Sequence, residues 1–226
     1  MSVRLPAAVL WDLDGTLIDS EPYWFAEEQA LVESFGGTWA YADALALVGR
    51  ALLDSAAYIL ARSDVDLTPE DVVDRLVAGV AGRIRSEVPW RPGARELLAA
   101  LRGEGVPTGL VTMSYRPITD SLTAALPSGS FDIIVSGEDV THGKPHPEPY
   151  LTGAARLGVA APDCIAIEDS ETGARSAAGA GARTIVVPSV KAVPRMPGVV
   201  QIPTLVGVTP TDLVDLPGFA ALPSRG

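Results

Sequence analysis

The sequence predicts an α/β fold, a doubly wound parallel sheet with an all-helical insertion, and three observations predict it. Short apolar runs without helical period recur along the chain, stretches of helical character separate them, and the segment from about Leu17 to Val88 holds helix-like stretches without a convincing strand. The 226 residues, 47% hydrophobic and 20% charged, suit one large domain or two small ones with a real core. That balance excludes disorder and fibrous architectures.

The first run, AAVLW (7–11), stops at acidic and glycine residues, as a strand buried on both faces does. The insertion follows, with three helix-like stretches. Its first helix opens at Ser20 as N-cap, carries Glu21 and Pro22 in its first turn and closes at Gly36-Gly37. Its last helix opens with Thr68 as N-cap, Pro69 at the first helical position and Glu70 and Asp71 behind it. Val73, Leu76, Val77, Val80 and Ile84 then mark one apolar face. The sheet is expected to resume near Pro89 to Pro92. Four further strands are TGLVT (108–112), FDIIVSG (131–137), CIAIED (164–169) and RTIVVP (183–188). Beyond Val187 the chain is proline-rich, with a short strand at VVQI and a short helix from about Thr211. In such a sheet, functional groups gather at the carboxyl ends of the strands.

Those ends carry the chemistry. WDLDGT places Asp12 and Asp14 two residues apart, on one side of an extended chain, with Gly15 permitting a tight turn. A carboxylate there can act as a nucleophile while its neighbour shuttles a proton, although an isolated DxD is also an ordinary acidic turn. TGLVT runs into Thr112-Met113-Ser114, whose hydroxyls and backbone N–H groups suit phosphate oxygens or a helix cap. Gly143-Lys144-Pro145 sets a lysine in a proline-stiffened loop, and Glu168-Asp169-Ser170 brings two more carboxylates ahead of Gly173. Four carboxylates around one lysine raise one another's pKa. A divalent cation resolves the conflict, and oxygen-only ligands with a phosphate-bearing substrate select Mg²⁺.

Other functions are excluded by charge and composition. Lys and Arg number 17 against 28 acidic residues, a net charge of −11 that disfavours nucleic acid and membrane surfaces as partners. The apolar runs are far too short to span a bilayer, and the early one leads straight into Asp12 without the pattern of a signal peptide, so a cytoplasmic location is expected. Cys164 is the single cysteine, and with His142 and His146 the only histidines, neither a thiolate nor a histidine zinc site is expected. His146, between prolines, reads as shaping its loop.

DLDGT (12–16), the strand end at Thr112, GKP (143–145) and EDS with Gly173 together resemble the four motifs of the haloacid dehalogenase-like superfamily, in order and over nearly the whole chain. The resemblance implies a Rossmann-like core at 1–16 and 89–226 and a helical cap at 17–88. It implies Asp12 as nucleophile and metal ligand, and Asp14 as general acid/base that also lends its backbone carbonyl to the metal. Thr112, Lys144 and the Met113 backbone would bind the phosphoryl group, and Asp169 would bind Mg²⁺ with Glu168 assisting. Dehalogenases of the family lack the second aspartate, so Asp14 argues for phosphoryl chemistry. Mutases of the β-phosphoglucomutase type carry a cap histidine at the position of Trp24, whereas IDSEPYW (18–24) is similar to sugar-phosphate phosphatases of the 2-deoxyglucose-6-phosphatase kind. Trp24 then either contacts a sugar ring or packs within the cap; Arg50 either binds a substrate anion or hydroxyl or lies on the surface; Ser114 is a further substrate-binding candidate. The resulting expectation is a Mg²⁺-dependent phosphatase acting on a small phosphorylated metabolite through an aspartyl-phosphate, as a monomer or weak homodimer, with a phosphohexomutase and a non-catalytic binding protein as alternatives.

Overall fold

Six parallel strands form one sheet in the order β3-β2-β1-β4-β5-β6: β1 (Ala8–Trp11), β2 (Thr108–Val111), β3 (Ile133–Val135), β4 (Cys164–Glu168), β5 (Arg183–Val186) and β6 (Val199–Gln201). Each lies where an apolar run places it. In this computed structural model, which describes residues 4–219, β1, β2 and β4 are buried along their whole length, and the edge strands β3 and β6 less so. Helices cover the sheet, and small residues let them approach: a Cβ on Gly153 of α7 (Glu148–Leu157) would meet Val111 at 2.9 Å and Leu10 at 3.3 Å. The chain builds β1, β2 and β3 outward, then crosses back to lay β4 against the other side of β1. The reversal between β1 and β4 is a topological switch point, where such sheets open a crevice at their carboxyl ends.

The sheet does not resume near Pro89 to Pro92. Trp90 makes only an isolated bridge to Ile18 before α5 (Ala94–Gly103), because prolines lack the N–H that a ladder needs. Gly93, at φ +83°, turns the chain into that helix against the backbone of Leu205.

The chain divides into two compact units. One contains the sheet: the described residues up to Ile18, Trp90–Ser114, and those from Pro127 on. The other is helical, Asp19–Pro89 with Tyr115–Leu126. Residues 1–3 and 220–226 of the expected core lie outside the described residues. The helical unit has four helices where three were expected before Val88: α1 (Glu21–Ser34), α2 (Tyr41–Leu47), α3 (Leu52–Arg62) and α4 (Pro69–Ser86). Gly49, at φ +79°, separates α2 from α3. The unit also takes in α6 (Arg116–Ala125), which lies beyond the cap boundary expected at residue 88. Arg85 of α4 donates to the Ser121 hydroxyl of α6 at 2.9 Å.

α4 is the hub of this unit, touching α1, α3 and α6. Thr68 caps it, accepting the Asp71 N–H at 3.1 Å, and its five expected apolar residues are all buried. Ser20 precedes α1 but makes no side-chain cap to it, having helical backbone angles rather than the extended ones a cap requires. Gly36 and Gly37 close α1 by donating to the carbonyls of Glu33 and Val32. No helix among the described residues is long and apolar enough to cross a membrane.

Glu28 of α1 is 4% exposed, with the Trp39 indole N–H donating to its carboxylate at 3.1 Å. Burial outweighs that bond and pushes its pKa up to about 7. Because the folded pKa lies above the unfolded one, its contribution to stability is intact below about pH 4.5 and is lost as the pH rises through 7. Glu28→Gln removes the titration. Denaturant unfolding is expected to show little gap between variant and wild type at pH 4.5, and one growing to about 1–3 kcal/mol in the variant's favour by pH 8.

Candidate active site

The first site element is the turn after β1. Asp12 leaves the sheet with its N–H on the Ile167 carbonyl at 3.0 Å, and the Leu13 carbonyl accepts the N–H groups of Thr16, Leu17 and Ile18. Gly15 stands at φ +87°, and a Cβ there would collide with the Asp169 carboxylate. Glycine is thus required twice over, by the turn and by the neighbouring strand's acid.

On β4's side, Glu168 is fully buried. Its Oε1 accepts Lys144 Nζ at 2.6 Å and the Tyr150 hydroxyl at 2.7 Å; its Oε2 accepts the Ser170 hydroxyl at 3.1 Å and the Asp169 N–H at 3.2 Å. Ser170 also caps α8 (Glu171–Gly179) through the Gly173 N–H at 3.0 Å. Lys144 Nζ bonds Asp12 Oδ1 at 2.6 Å, so one ammonium joins the ends of β1 and β4. Its side chain is 6% exposed and lies 5.1 Å from the Tyr150 ring centre.

The charges are tightly coupled. Burial and the charge of Glu168 push Asp12 up, Lys144 pulling the other way. Asp169 is pushed well above the carboxylate range by burial, Asp12 and Glu168. Burial opposes the charge on Lys144, but Asp12 and Glu168 outweigh it and hold the ammonium protonated above its ordinary range. Burial, then Glu168, push the Tyr150 phenol up, keeping it a donor. Asp12, Glu168 and Asp169 each offer a carboxylate oxygen within 4.8 Å of the others. An all-oxygen set short of positive charge fits a hard divalent cation.

β2 supplies the third side. Thr112 is buried, its Oγ1 accepting the Ser114 N–H at 2.9 Å. Ser114 Oγ donates to Asp14 Oδ2 at 2.5 Å, so its hydroxyl serves an acid of the site. Asp14 is not in the group of three carboxylates. Met113 supports Lys144: its sulfur accepts the Lys144 N–H at 3.3 Å. Trp24, half-buried on α1, and Arg50, exposed after α2, belong to the helical unit. The Arg50 guanidinium donates to the Ala46 carbonyl at 2.7 Å and stacks 5.0 Å from the Tyr58 ring centre. Sequence reasoning missed Tyr150, Thr16, whose hydroxyl reaches Asp169 at 3.4 Å, and the sulfur of Met113. Each reads in one dimension as a core or loop residue, and nothing in the sequence marks its partner.

Sheet order, switch point and this acid–lysine cluster define a hydrolase core. A family model for haloacid dehalogenase-like hydrolases matches residues 6–181, and the chain belongs to that family. It is 33% identical over 188 residues to hexitol phosphatase B of Escherichia coli, covering 82% of this chain and 85% of that one. Hexitol phosphatase A of the same organism is 32% identical over 197 residues, covering 83% and 85%. The fold is shared with crystalline CbbY from Rhodobacter sphaeroides in complex with phosphate, with a TM-score of 0.83, 24% identity and coverage of 94% of this chain and all of that one.

Gly173 tests the packing of the acid cluster. A Cβ at this helical position would overlap the Glu168 carboxylate, whereas helix propensity alone favours alanine by about 1 kcal/mol. Gly173→Ala is expected to lose about 1–3 kcal/mol in denaturant unfolding. A variant more stable than wild type would show that Glu168 does not fill that space.

Proposed function

We propose that the protein is a phosphatase that hydrolyses a small phosphate monoester, a sugar or sugar-alcohol phosphate, by way of an aspartyl-phosphate on Asp12. The carrying observation is the buried pair of Asp12 and Lys144, 2.6 Å apart at the switch point, with Asp14 two residues on and held by Ser114. The hexitol phosphatases similar to this chain support the substrate class.

In the first step Asp12 attacks phosphorus, the bond to the leaving oxygen breaks, and Asp14 protonates the departing alcohol. In the second, Asp14 takes a proton from water, whose oxygen attacks phosphorus and returns Asp12 as a free carboxylate beside inorganic phosphate. Lys144 balances the phosphoryl oxygens' charge, with Thr112 and the Met113 N–H as further donors. Asp12 and Asp169 would hold Mg²⁺, together with the Asp14 carbonyl. Bound there, the ion supplies the positive charge that a transferring phosphoryl group needs. Glu168 contributes by fixing Lys144, with both its oxygens already accepting hydrogen bonds. The helical unit is the cap in this reading, and Trp24 and Arg50 its substrate-choosing residues.

Asp12→Asn is expected to keep the fold and lose at least about a thousandfold in phosphate release, with EDTA silencing the wild type. Release near the wild-type rate would end the nucleophile assignment. For Asp14→Asn the expected loss is about 10²–10⁴-fold in turnover, with phosphorylated protein accumulating from an activated aryl phosphate and detected by intact mass. A panel of hexitol, hexose and pentose phosphates names the substrate. Interconversion of hexose 1- and 6-phosphates without phosphate release would favour a mutase.

A further inference from the structure

The loop that presents Lys144 carries a second constellation, unrelated to the carboxylate site. His142 and His146 flank the Lys144-Pro145 step, and Glu148 opens α7 two residues later. The fold turns these three side chains toward one another. His142 Nδ1 lies 2.8 Å from Glu148 Oε2, His146 Nδ1 lies 3.9 Å from the same oxygen, and the two imidazole ring centres are 4.6 Å apart. One donor atom from each of the three falls within 4.8 Å of the others.

We propose that His142, His146 and Glu148 form a surface site for a divalent transition-metal cation of the Zn²⁺ class. Two imidazoles and one carboxylate, leaving a fourth position to water, are a common three-ligand zinc set. Tetrahedral zinc with bonds of about 2.0–2.1 Å needs donors roughly 3.3 Å apart, and the separations of 2.8 and 3.9 Å bracket that value. Small side-chain adjustments complete the site. The surroundings already orient the carboxylate: Glu148 Oε1 accepts the Thr141 N–H at 2.7 Å and Oε2 the His142 N–H at 3.0 Å, while zinc would take over the His146 Nδ1 lone pair that accepts the Glu148 N–H at 3.2 Å in its absence. Those bonds hold the Glu148 carboxyl below its ordinary range, so it stays ionised. The histidine side chains are 62% and 51% exposed, which gives a cation direct access from solvent. Imidazole selects Zn²⁺, Ni²⁺ or Cu²⁺ over Mg²⁺, so the site is chemically separate from the all-oxygen cluster. The proposal departs from the expectation of no histidine zinc site because a third ligand, Glu148, is supplied by the loop's return into α7.

Calorimetric titration of the full chain with Zn²⁺, in saturating Mg²⁺ to occupy the carboxylate cluster, tests this. Wild type is expected to bind one Zn²⁺ with micromolar affinity. His142→Ala and His146→Ala should each weaken that binding at least tenfold, Glu148→Gln should weaken it too, and Asp169→Asn should leave it unchanged. Circular dichroism without zinc checks that the variants fold, and His142→Gln serves if an alanine variant does not. An absence of zinc binding by wild type up to millimolar concentration overturns the site. So does an unchanged isotherm in the double variant His142→Ala/His146→Ala, or a loss confined to Asp169→Asn.

Discussion

Burying several carboxylates at one point is the constraint on which the rest of the core depends. Asp12, Glu168 and Asp169 arrive from adjacent strands, and each additional negative charge in a poorly solvated place raises the cost of ionising the others. Lys144 offsets part of that cost, and its own burial is tolerable only because two carboxylates reach its ammonium at 2.6 Å. The demands then spread outward. Tyr150 must donate to the oxygen that Lys144 shares, Ser170 and a backbone N–H must fill the other, and residues 15 and 173 must lack a Cβ because carboxylates occupy that space. Glycine at those two positions follows as much from electrostatics as from chain geometry.

Strand order explains why these groups meet. Since β4 returns to the side of β1 opposite β2, the acids that end β1 and β4 are neighbours, and the segment after β2 approaches from the other flank. Lys144 comes from the long connection between β3 and β4 and links the two acid-bearing strand ends. The helical unit obeys a different rule. Its interior is made by the apolar face of α4, and its one deeply buried acid, Glu28, has an indole N–H and no cation among the side chains that shift it. Neutralisation by protonation there takes the place of the ion pairing used in the core.

Much of this was legible in the sequence. Strands buried on both faces betray themselves as continuous apolar runs, so all of them fell in place, and residues stranded at the ends of such runs stand out when they are acidic. Asp12, Asp14, Glu168 and Asp169 were visible for that reason, and Lys144 through its place in a proline-stiffened loop. What stayed hidden were pairings between distant segments. Ser114 reads as a ligand for substrate but donates to Asp14, a hundred residues away, and Tyr150 reads as a core aromatic although its hydroxyl serves Glu168. α6 groups with the insertion because it packs against α4, where Arg85 donates to Ser121, a tertiary preference without local signature. Loop geometry was equally hidden, and so His142, His146 and Glu148 looked unconnected.

The two aspartates of the first motif meet different surroundings although they stand two residues apart. Asp12 sits at the strand end, buried, paired with an ammonium and facing two other acids, so its charge is strongly coupled to whatever cation enters the site. Asp14, beyond the first bend of the turn, accepts the hydroxyl of Ser114. A carboxylate gripped by Lys144 is fixed in place, and the ammonium opposes part of the upward push that burial and Glu168 give its pKa. The turn at Gly15 separates the pair, and the proposed choice of the first aspartate as nucleophile rests on the ammonium that it meets at the strand end.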